Sequence, residues 1–429
     1  MGAPFAVQVR GSAPTRRATI VNGPPRISGA AWRTKLISAG SRLAVTVVPV
    51  HGAPPASVIR RLIVIKPASL GDVILATPAI SVLRDAFPTA HLSLAVGQWS
   101  LPAARGVLGV DEVVDLGTFG TPGRFGVRDL PEAVRVVRHG SYDLAVVLDR
   151  SPLVAVAALI AAVPWRAGID SAGRGFAHGI RVPWVRRCHE ADLYLRVASE
   201  ATVTARNNEP IPPPKLAFEP GPVARAEADA LWEASGLGAP GGPVVVIHPG
   251  GGANPGMTLN AKRWPAGRFG DVARSLVHFG CRVALVGDRT DSAVVAAVSE
   301  SAGVPLADLS GRPDLATLAA IIGRADAYLG NDSVPVHLAV AMGTPAVALY
   351  GPTDPHAYGP YAPTDGPYAG RGIAIVSPDA CSQRRTFRPG PIEACDGCRC
   401  VDLIAPSDAL RAVVGLLEAG RDRLGISPR

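Results

Sequence analysis

The sequence predicts an α/β protein of two successive Rossmann-like domains that face a cleft. Three observations carry that prediction. Short apolar runs with the length of buried strands alternate with helix-periodic segments along most of the chain. The alternation comes in two series, one from Arg61 and one from Val244, separated by a stretch at 207–222 that holds Pro212, Pro213 and Pro214. Polar residues then gather just after the predicted strands, where open parallel sheets bind ligands. A length of 429 residues suits two or three domains, and 48% apolar against 18% charged residues suits buried sheets.

Residues 1–56 are rich in Gly, Pro, Ala, Arg and Ser without a sustained period, and are expected to be a disordered extension or an over-extended start of the reading frame. Arg16 and Arg17 are not followed closely by an apolar core, so no secretory signal is expected. Order begins with a buried strand at 61–66. A small-residue loop leads into a helix that runs to Phe87 and stops at Pro88. Strands at 91–96 and 143–148 and helices at 130–138 and 152–162 continue a first domain that spans 57–235, closed by a helix at 224–234. The second domain, 243–406, has strands at 244–248, 282–286, 327–329 and 346–350. Ser407 caps a last helix, 407–422, expected to pack back toward the first domain. The longest apolar run, 153–163, falls short of the roughly 20 residues that cross a bilayer and reads as a buried helix. The chain is therefore expected in the cytoplasm.

Four segments carry chemistry. In Lys66-Pro-Ala-Ser-Leu-Gly71-Asp72, a carboxylate stands at a helix start beyond a strand, where it either caps the helix or faces the cleft as a proton acceptor. No G-x-G-x-x-G is present, which disfavours dinucleotide binding. In His248-Pro-Gly250-Gly251-Gly252, a strand opens into three glycines whose N–H groups can approach an anion, and Lys262 and Arg263 follow with charge. Gly287-Asp-Arg-Thr-Asp291 places Asp291 where it could bind ribose hydroxyls, although capping explains the same letters. In Gly330-Asn-Asp332-Ser333-Val-Pro335-Val-His337, Ser333 is an N-cap with Pro335 in the first turn, and His337 shares its helix face. Free helix-start N–H groups beside a hydroxyl and an imidazole form a phosphate cradle; a plain cap with a packed histidine is the alternative.

The net charge of +8 comes from 43 basic residues, nearly all Arg, which gives weight to the few lysines, Lys66 and Lys262 among them. Such a surface suits phosphates or anionic lipid. No basic run with interleaved aromatics is present, so nucleic acid is not an expected partner. Cys381, Cys395, Cys398 and Cys400 cluster late, with a spacing that fits either an irregular zinc site or reduced loop thiols. Cys188 and Cys281 stand alone.

Taken in order, K-P-A-S-L-G-D-V-I-L-A-T-P-A-I, Y-D-L-A-V-V-L, H-P-G-G-G with A-K-R-W-P, and G-N-D-S-V-P-V-H-L with G-T-P-A-V-A-L-Y-G-P-T-D resemble the glycosyltransferase family 9 enzymes, the heptosyltransferases of lipopolysaccharide inner-core assembly. The resemblance covers about residues 61–420. It implies a GT-B fold, with acceptor on the first domain and nucleotide-sugar, ADP-heptose above all, on the second. It also implies inverting transfer to a lipid-linked or glycan acceptor with no cofactor and no catalytic metal, compatible with peripheral contact at the inner membrane. By position, Asp72 matches the family's base, Lys262 its donor-phosphate lysine, and Asp332, Ser333 and His337 its donor loop. Gly250, Gly251, Gly252 and Asp291 join the donor set, and Lys66 and Asp149 the acceptor set. The chain departs from the family where Asp149-Arg150 replaces a Gln-Gly-like pair; pairing of those two with each other is the plainer account of Asp149. A sugar-nucleotide epimerase and a non-catalytic sugar-nucleotide sensor are the alternative functions.

Overall fold

A computed structural model describes residues 52–121, 126–185, 188–207, 209–211, 213–254, 257–362, 370–377 and 400–423. The first sheet holds β1 (Arg61–Ile65), β2 (His91–Val96), β3 (Glu112–Asp115), β4 (Leu144–Val147), β5 (Trp165–Asp170) and β6 (Ile180–Pro183). The second holds β7 (Val244–His248), β8 (Arg282–Leu285), β9 (Ala307–Asp308), β10 (Ala327–Asn331), β11 (Ala346–Tyr350) and β12 (Gly372–Val376). Their orders are β3-β2-β1-β4-β5-β6 and β9-β8-β7-β10-β11-β12, and every pairing in both is parallel. Each sheet therefore reverses direction at its centre, between β1 and β4 and between β7 and β10. The strand ends at such a reversal splay apart and leave a crevice for ligand.

The central strands read as continuous apolar runs because both faces are covered. Leu62 and Val64 point into one core and Ile63 and Ile65 into another; Val244 and Val246 divide from Val245 and Ile247 in the same way. Full burial of each such side chain is worth roughly 1.5–3 kcal/mol. The helix expected up to Phe87 is broken into α1 (Leu70–Leu75) and α2 (Thr77–Ala86). Pro78 lacks the N–H that would continue the ladder, and the Thr77 hydroxyl donates instead to Ile74 O at 2.7 Å. Helices α3 (Leu130–His139) and α4 (Pro152–Ile160) cover one face of the first sheet, and α5 (Glu190–Thr202) packs on α2 over the other.

Two expectations about the domain edges change. The helix α6 (Gly221–Ala234), assigned above to the end of the first domain, packs on α9 (Leu315–Gly323) beside the second sheet. There Thr317 Oγ1 donates to Glu227 Oε2 at 2.9 Å, and Arg324 pairs with Asp229 and lies 5.2 Å from the Trp232 ring. The last helix, α11 (Pro406–Arg423), packs on α7 (Ala266–His278) and β10 rather than on the first domain. Its apolar stripe Ala409, Val413 and Leu416 has helical spacing and finds the second core, beside Trp264 and Phe269. The segment 1–51 and Cys381, Cys395 and Cys398 lie outside the described residues.

The domains touch through specific pairs. Gly71 of α1 faces His337 of α10 (Val334–Ala341), so closely that a Cβ on Gly71 would stand 3.0 Å from the imidazole Cδ2. His189 accepts from Ala191 N–H through Nδ1 at 3.2 Å, and its Nε2 lies 3.0 Å from Gly359 O. The Tyr361 hydroxyl donates to Asp192 at 2.8 Å.

Candidate active site

Both central crevices open toward one another, and the candidate residues line the space between them. On the first domain, Lys66 follows β1 and Asp149 follows β4, at the two strands where the sheet reverses. The Lys66 ammonium lies 3.2 Å from Asp72 Oδ2 and 3.6 Å from Asp149 Oδ2, with its side chain only 4% exposed. Burial alone would lower its pKa, but Asp72, Asp149 and Glu190 outweigh that and hold it above the ordinary lysine value. Asp72 also receives the Ser69 N–H at 3.4 Å, again on Oδ2. Among the described residues its Oδ1 has no hydrogen-bond partner. The carboxylate thus caps α1 and also lines the cavity, so the two readings of Asp72 are compatible.

Asp149 does not pair with Arg150. It accepts from Ser151 N–H at 2.7 Å and faces Lys66, while Arg150 turns to Glu190, the first residue of α5, in an ion pair. Glu190 is 1% exposed, and burial pushes its carboxyl up while Arg150 opposes the shift. Tyr194, one turn on, places its ring 5.9 Å from the Lys66 ammonium. Neither Glu190 nor Tyr194 is among the candidates read from the sequence.

On the second domain, β7 ends in His248 and the chain turns through Gly251 and Gly252, with φ of +99° and +75° that side chains rarely tolerate. Gly250 differs in role. It does not line the cavity, and a Cβ there would meet the Asp291 carboxyl at 2.1 Å, so its smallness admits Asp291 to the loop. Asp291 is correspondingly buried, 3.4 Å from His248 Nε2 and 3.4 Å from Arg263 Nη2. Burial would raise its pKa, but His248 and Arg263 outweigh it and hold the carboxyl below the ordinary range. Arg263 also donates to Gly251 O at 2.7 Å. On the far side of the ring, His248 Nδ1 lies 3.3 Å from Ser333 Oγ, itself 3.2 Å from Asn331 O. Asp291, His248 and Ser333 thus form a continuous chain, in which Asp291 holds the imidazole and the imidazole holds the serine. Ser333 occupies the N-cap position of α10, yet its oxygen accepts no helix N–H.

Lys262 reaches the cavity wall and pairs with Asp332 at 2.7 Å. His337 is buried one turn into α10; burial drives its pKa down to about 4, against the pull of Asp332, so the ring is neutral near pH 7. Its Nδ1 has no hydrogen-bond partner among the described residues. Behind the loop, the Asn331 side chain ties β10 to β7 by donating to Pro249 O at 2.8 Å and Gly250 O at 3.0 Å.

A cavity of about 1140 Å³ lies between the domains, lined by Asp72 on one side and by Gly251, Gly252, Lys262, Asp291, Asp332, Ser333 and His337 on the other. A second, of about 270 Å³, is lined by Lys66, Asp149, Arg150, Glu190 and Tyr194. The two share Ser69, Asp72 and Tyr358. Asp72 therefore stands where a large and a small chamber meet. Among the described residues, no three His, Cys, Asp or Glu side chains are grouped to hold a metal ion, and no helix is long and apolar enough to cross a membrane.

Known proteins share this architecture. Lipopolysaccharide heptosyltransferase 2 of Escherichia coli (strain K12) is 25% identical over 307 residues, which cover 69% of this chain and 84% of the relative. The crystal structure of the glycosyl transferase family 9 protein from Veillonella parvula DSM 2008 superposes with a TM-score of 0.65 at 24% identity, covering 84% of this chain and 97% of that one. The E. coli ADP-heptose lps heptosyltransferase II does so with a TM-score of 0.60 at 21% identity, covering 84% and 99%, and the fold is the GT-B fold of these enzymes. E. coli heptosyltransferase WaaC, solved with ADP-2-deoxy-2-fluoro heptose, has a TM-score of 0.56 at 15% identity over 84% of this chain and 99% of its own. Residues 132–371 match the family model described as glycosyltransferase family 9 (heptosyltransferase), which is more than half of the chain, and the protein is a glycosyltransferase that belongs to that family.

Proposed function

We propose that the protein transfers heptose from ADP-heptose to a hydroxyl of the lipopolysaccharide core, with inversion at the anomeric carbon and without a catalytic divalent metal. The observation that carries this reading is the position of Asp72, at the junction of the two chambers and opposite Lys262, Ser333 and His337. Lipopolysaccharide heptosyltransferase 2 of E. coli and the WaaC complex with an ADP-heptose analogue supply the donor and acceptor class.

In this scheme the second domain holds the donor and the first holds the acceptor. The diphosphate lies against Gly251, Gly252 and the start of α10. Lys262 has three N–H donors; Asp332 engages the ammonium and leaves donors for phosphate oxygens. The acceptor hydroxyl enters from the small chamber and attacks the anomeric carbon from the face opposite ADP. Its proton passes to Asp72 as the new C–O bond forms, and the bond from carbon to phosphate oxygen breaks. Charge grows on the departing diphosphate, where a fixed ammonium and backbone N–H groups stabilise it best. Asp291 acts through His248, which orients Ser333. A lipid-linked acceptor would place the reaction at the inner face of the cytoplasmic membrane.

The test is incubation with ADP-heptose and a core acceptor lacking that heptose, with mass spectrometry for the product and NMR for its anomeric configuration. Product formed in excess chelator, with inverted configuration, is expected. Consumption of donor without acceptor, retention of configuration, or activity lost to chelator and restored by magnesium or manganese would each overturn the corresponding part of the proposal.

A further inference from the structure

The small chamber also restricts which sugar can present the attacking hydroxyl. We infer that the ring seated there, beside Asp72, is an uncharged sugar, and that a ring bearing its own carboxylate or phosphate is rejected. This rests on the reading of Asp72 as the proton acceptor and adds the chemical class of its substrate.

Among the described residues, the charged side chains on the wall are Lys66, Asp72, Asp149, Arg150 and Glu190. Two cations stand against three carboxylates, a net of −1. Among the described residues the chamber carries no net positive charge. Neither cation is available to an incoming anion, because Lys66 is held between Asp72 and Asp149 at 3.2 and 3.6 Å and Arg150 is paired with Glu190. Burying an anion without a compensating cation is far costlier than burying hydroxyls that can find acceptors. The carboxylates suit hydroxyls: each ionised carboxylate offers about four lone-pair sites, and its wall partners use only some of them. Tyr194, Tyr358, Leu148 and Ile169 supply apolar surface for the C–H face of a ring. At about 270 Å³ the space has room for a single sugar ring.

The experiment compares three acceptors of similar size with ADP-heptose as donor: methyl heptoside, heptose phosphate, and the methyl glycoside of a ulosonic acid. Transfer to each is followed by mass spectrometry, and binding of each to the ADP-loaded protein by calorimetry. We expect the neutral sugar to exceed both anionic ones at least about tenfold in kcat/KM and in affinity. Asp149→Asn keeps an oxygen for the Ser151 N–H and raises the chamber's charge by one. It should narrow that ratio several-fold by improving the anionic sugars, with the affinity for ADP unchanged. An anionic ring bound or used as well as the neutral one, or a ratio indifferent to Asp149→Asn, overturns the inference and leaves the proposed reaction standing. Selective binding of the neutral ring with no transfer to any acceptor supports the inference and sinks the proposed reaction instead.

Discussion

Replacing Asp72 by Asn separates its work as a cap from its work as a base. The amide oxygen can still receive the Ser69 N–H, now 3.4 Å from Oδ2, so the start of α1 keeps its bond. What is lost is the charge that faces Lys66 at 3.2 Å. Lys66 would not be left alone, because Asp149 remains 3.6 Å away. The stability loss should therefore be about 1.5–3 kcal/mol, as for one charge-assisted hydrogen bond, and short of the roughly 3–5 kcal/mol that an uncompensated buried charge costs. Turnover should fall much further. Removing a general base costs typically about 10²–10⁴-fold, which corresponds to about 3–5 kcal/mol in the barrier. Donor affinity should hold, because the donor groups come from the other domain. Chemical denaturation measures the first quantity, steady-state transfer at saturating substrates the second, and calorimetry with ADP the third. A folded Asp72→Asn protein with turnover within a few-fold of the parent would refute the assignment and leave Asp72 as a cap and ion-pair partner only.

Lys262→Met should weaken ADP binding by about 1.5–3 kcal/mol, roughly 10–150-fold, and also destabilise the fold by stranding Asp332; adding Asp332→Asn should restore stability in denaturation but not affinity in calorimetry. Gly71→Ala would put a methyl 3.0 Å from His337, so kcat/KM should drop several-fold while the melting temperature hardly moves; unchanged kinetics would mean that the two helix starts do not need that contact. His178 is fully buried, with its pKa lowered from 6.5 to about 3 by burial and then by Arg166 and Arg181. Because only the unfolded chain takes the proton readily, its contribution to stability is complete above about pH 6.5 and is lost as pH falls, by up to tenfold in the folding constant per unit. His178→Phe should flatten that acid limb by one proton in denaturation curves taken from pH 7.5 to 5, and an unaltered slope would show that the ring is not buried as described.

Much of the fold is legible in the sequence because the central strands are bare apolar runs. Arg-Leu-Ile-Val-Ile at 61–65 and Val-Val-Val-Ile-His at 244–248 could hardly be anything else. Two of the strands missed are ones where polar residues serve packing. In β5, Arg166 is spent on the carbonyls of Ala177 and Val163, and Gly168 lies under His178, so no apolar run appears. In β3, an edge strand, charged Glu112 and Asp115 flank two valines. The site shows the same division. Asp72, Lys262, Ser333 and His337 sit within short motifs and could be named. Glu190 could not, because its meaning depends on Arg150, 40 residues earlier, and on Lys66 across the sheet. The wrong expectation that Asp149 pairs with Arg150 has the same origin: neighbours in sequence were given to each other, although successive residues beyond a strand end face different ways.

The matching strand order of the two sheets bears on how such an enzyme can change. The groups assigned to the donor come from the second domain, and those assigned to the acceptor, with the base, come from the first, apart from Tyr358, which the second domain adds to the small chamber. Among the described residues the two domains meet through pairs such as Gly71 with His337, His189 with Gly359, and Asp192 with Tyr361, and through apolar contact between their helices. Inheritance can therefore treat the halves as separate parts. A chimera that keeps those pairs could take its acceptor half from another transferase and retain its own donor, and drift in one half need not be answered by drift in the other.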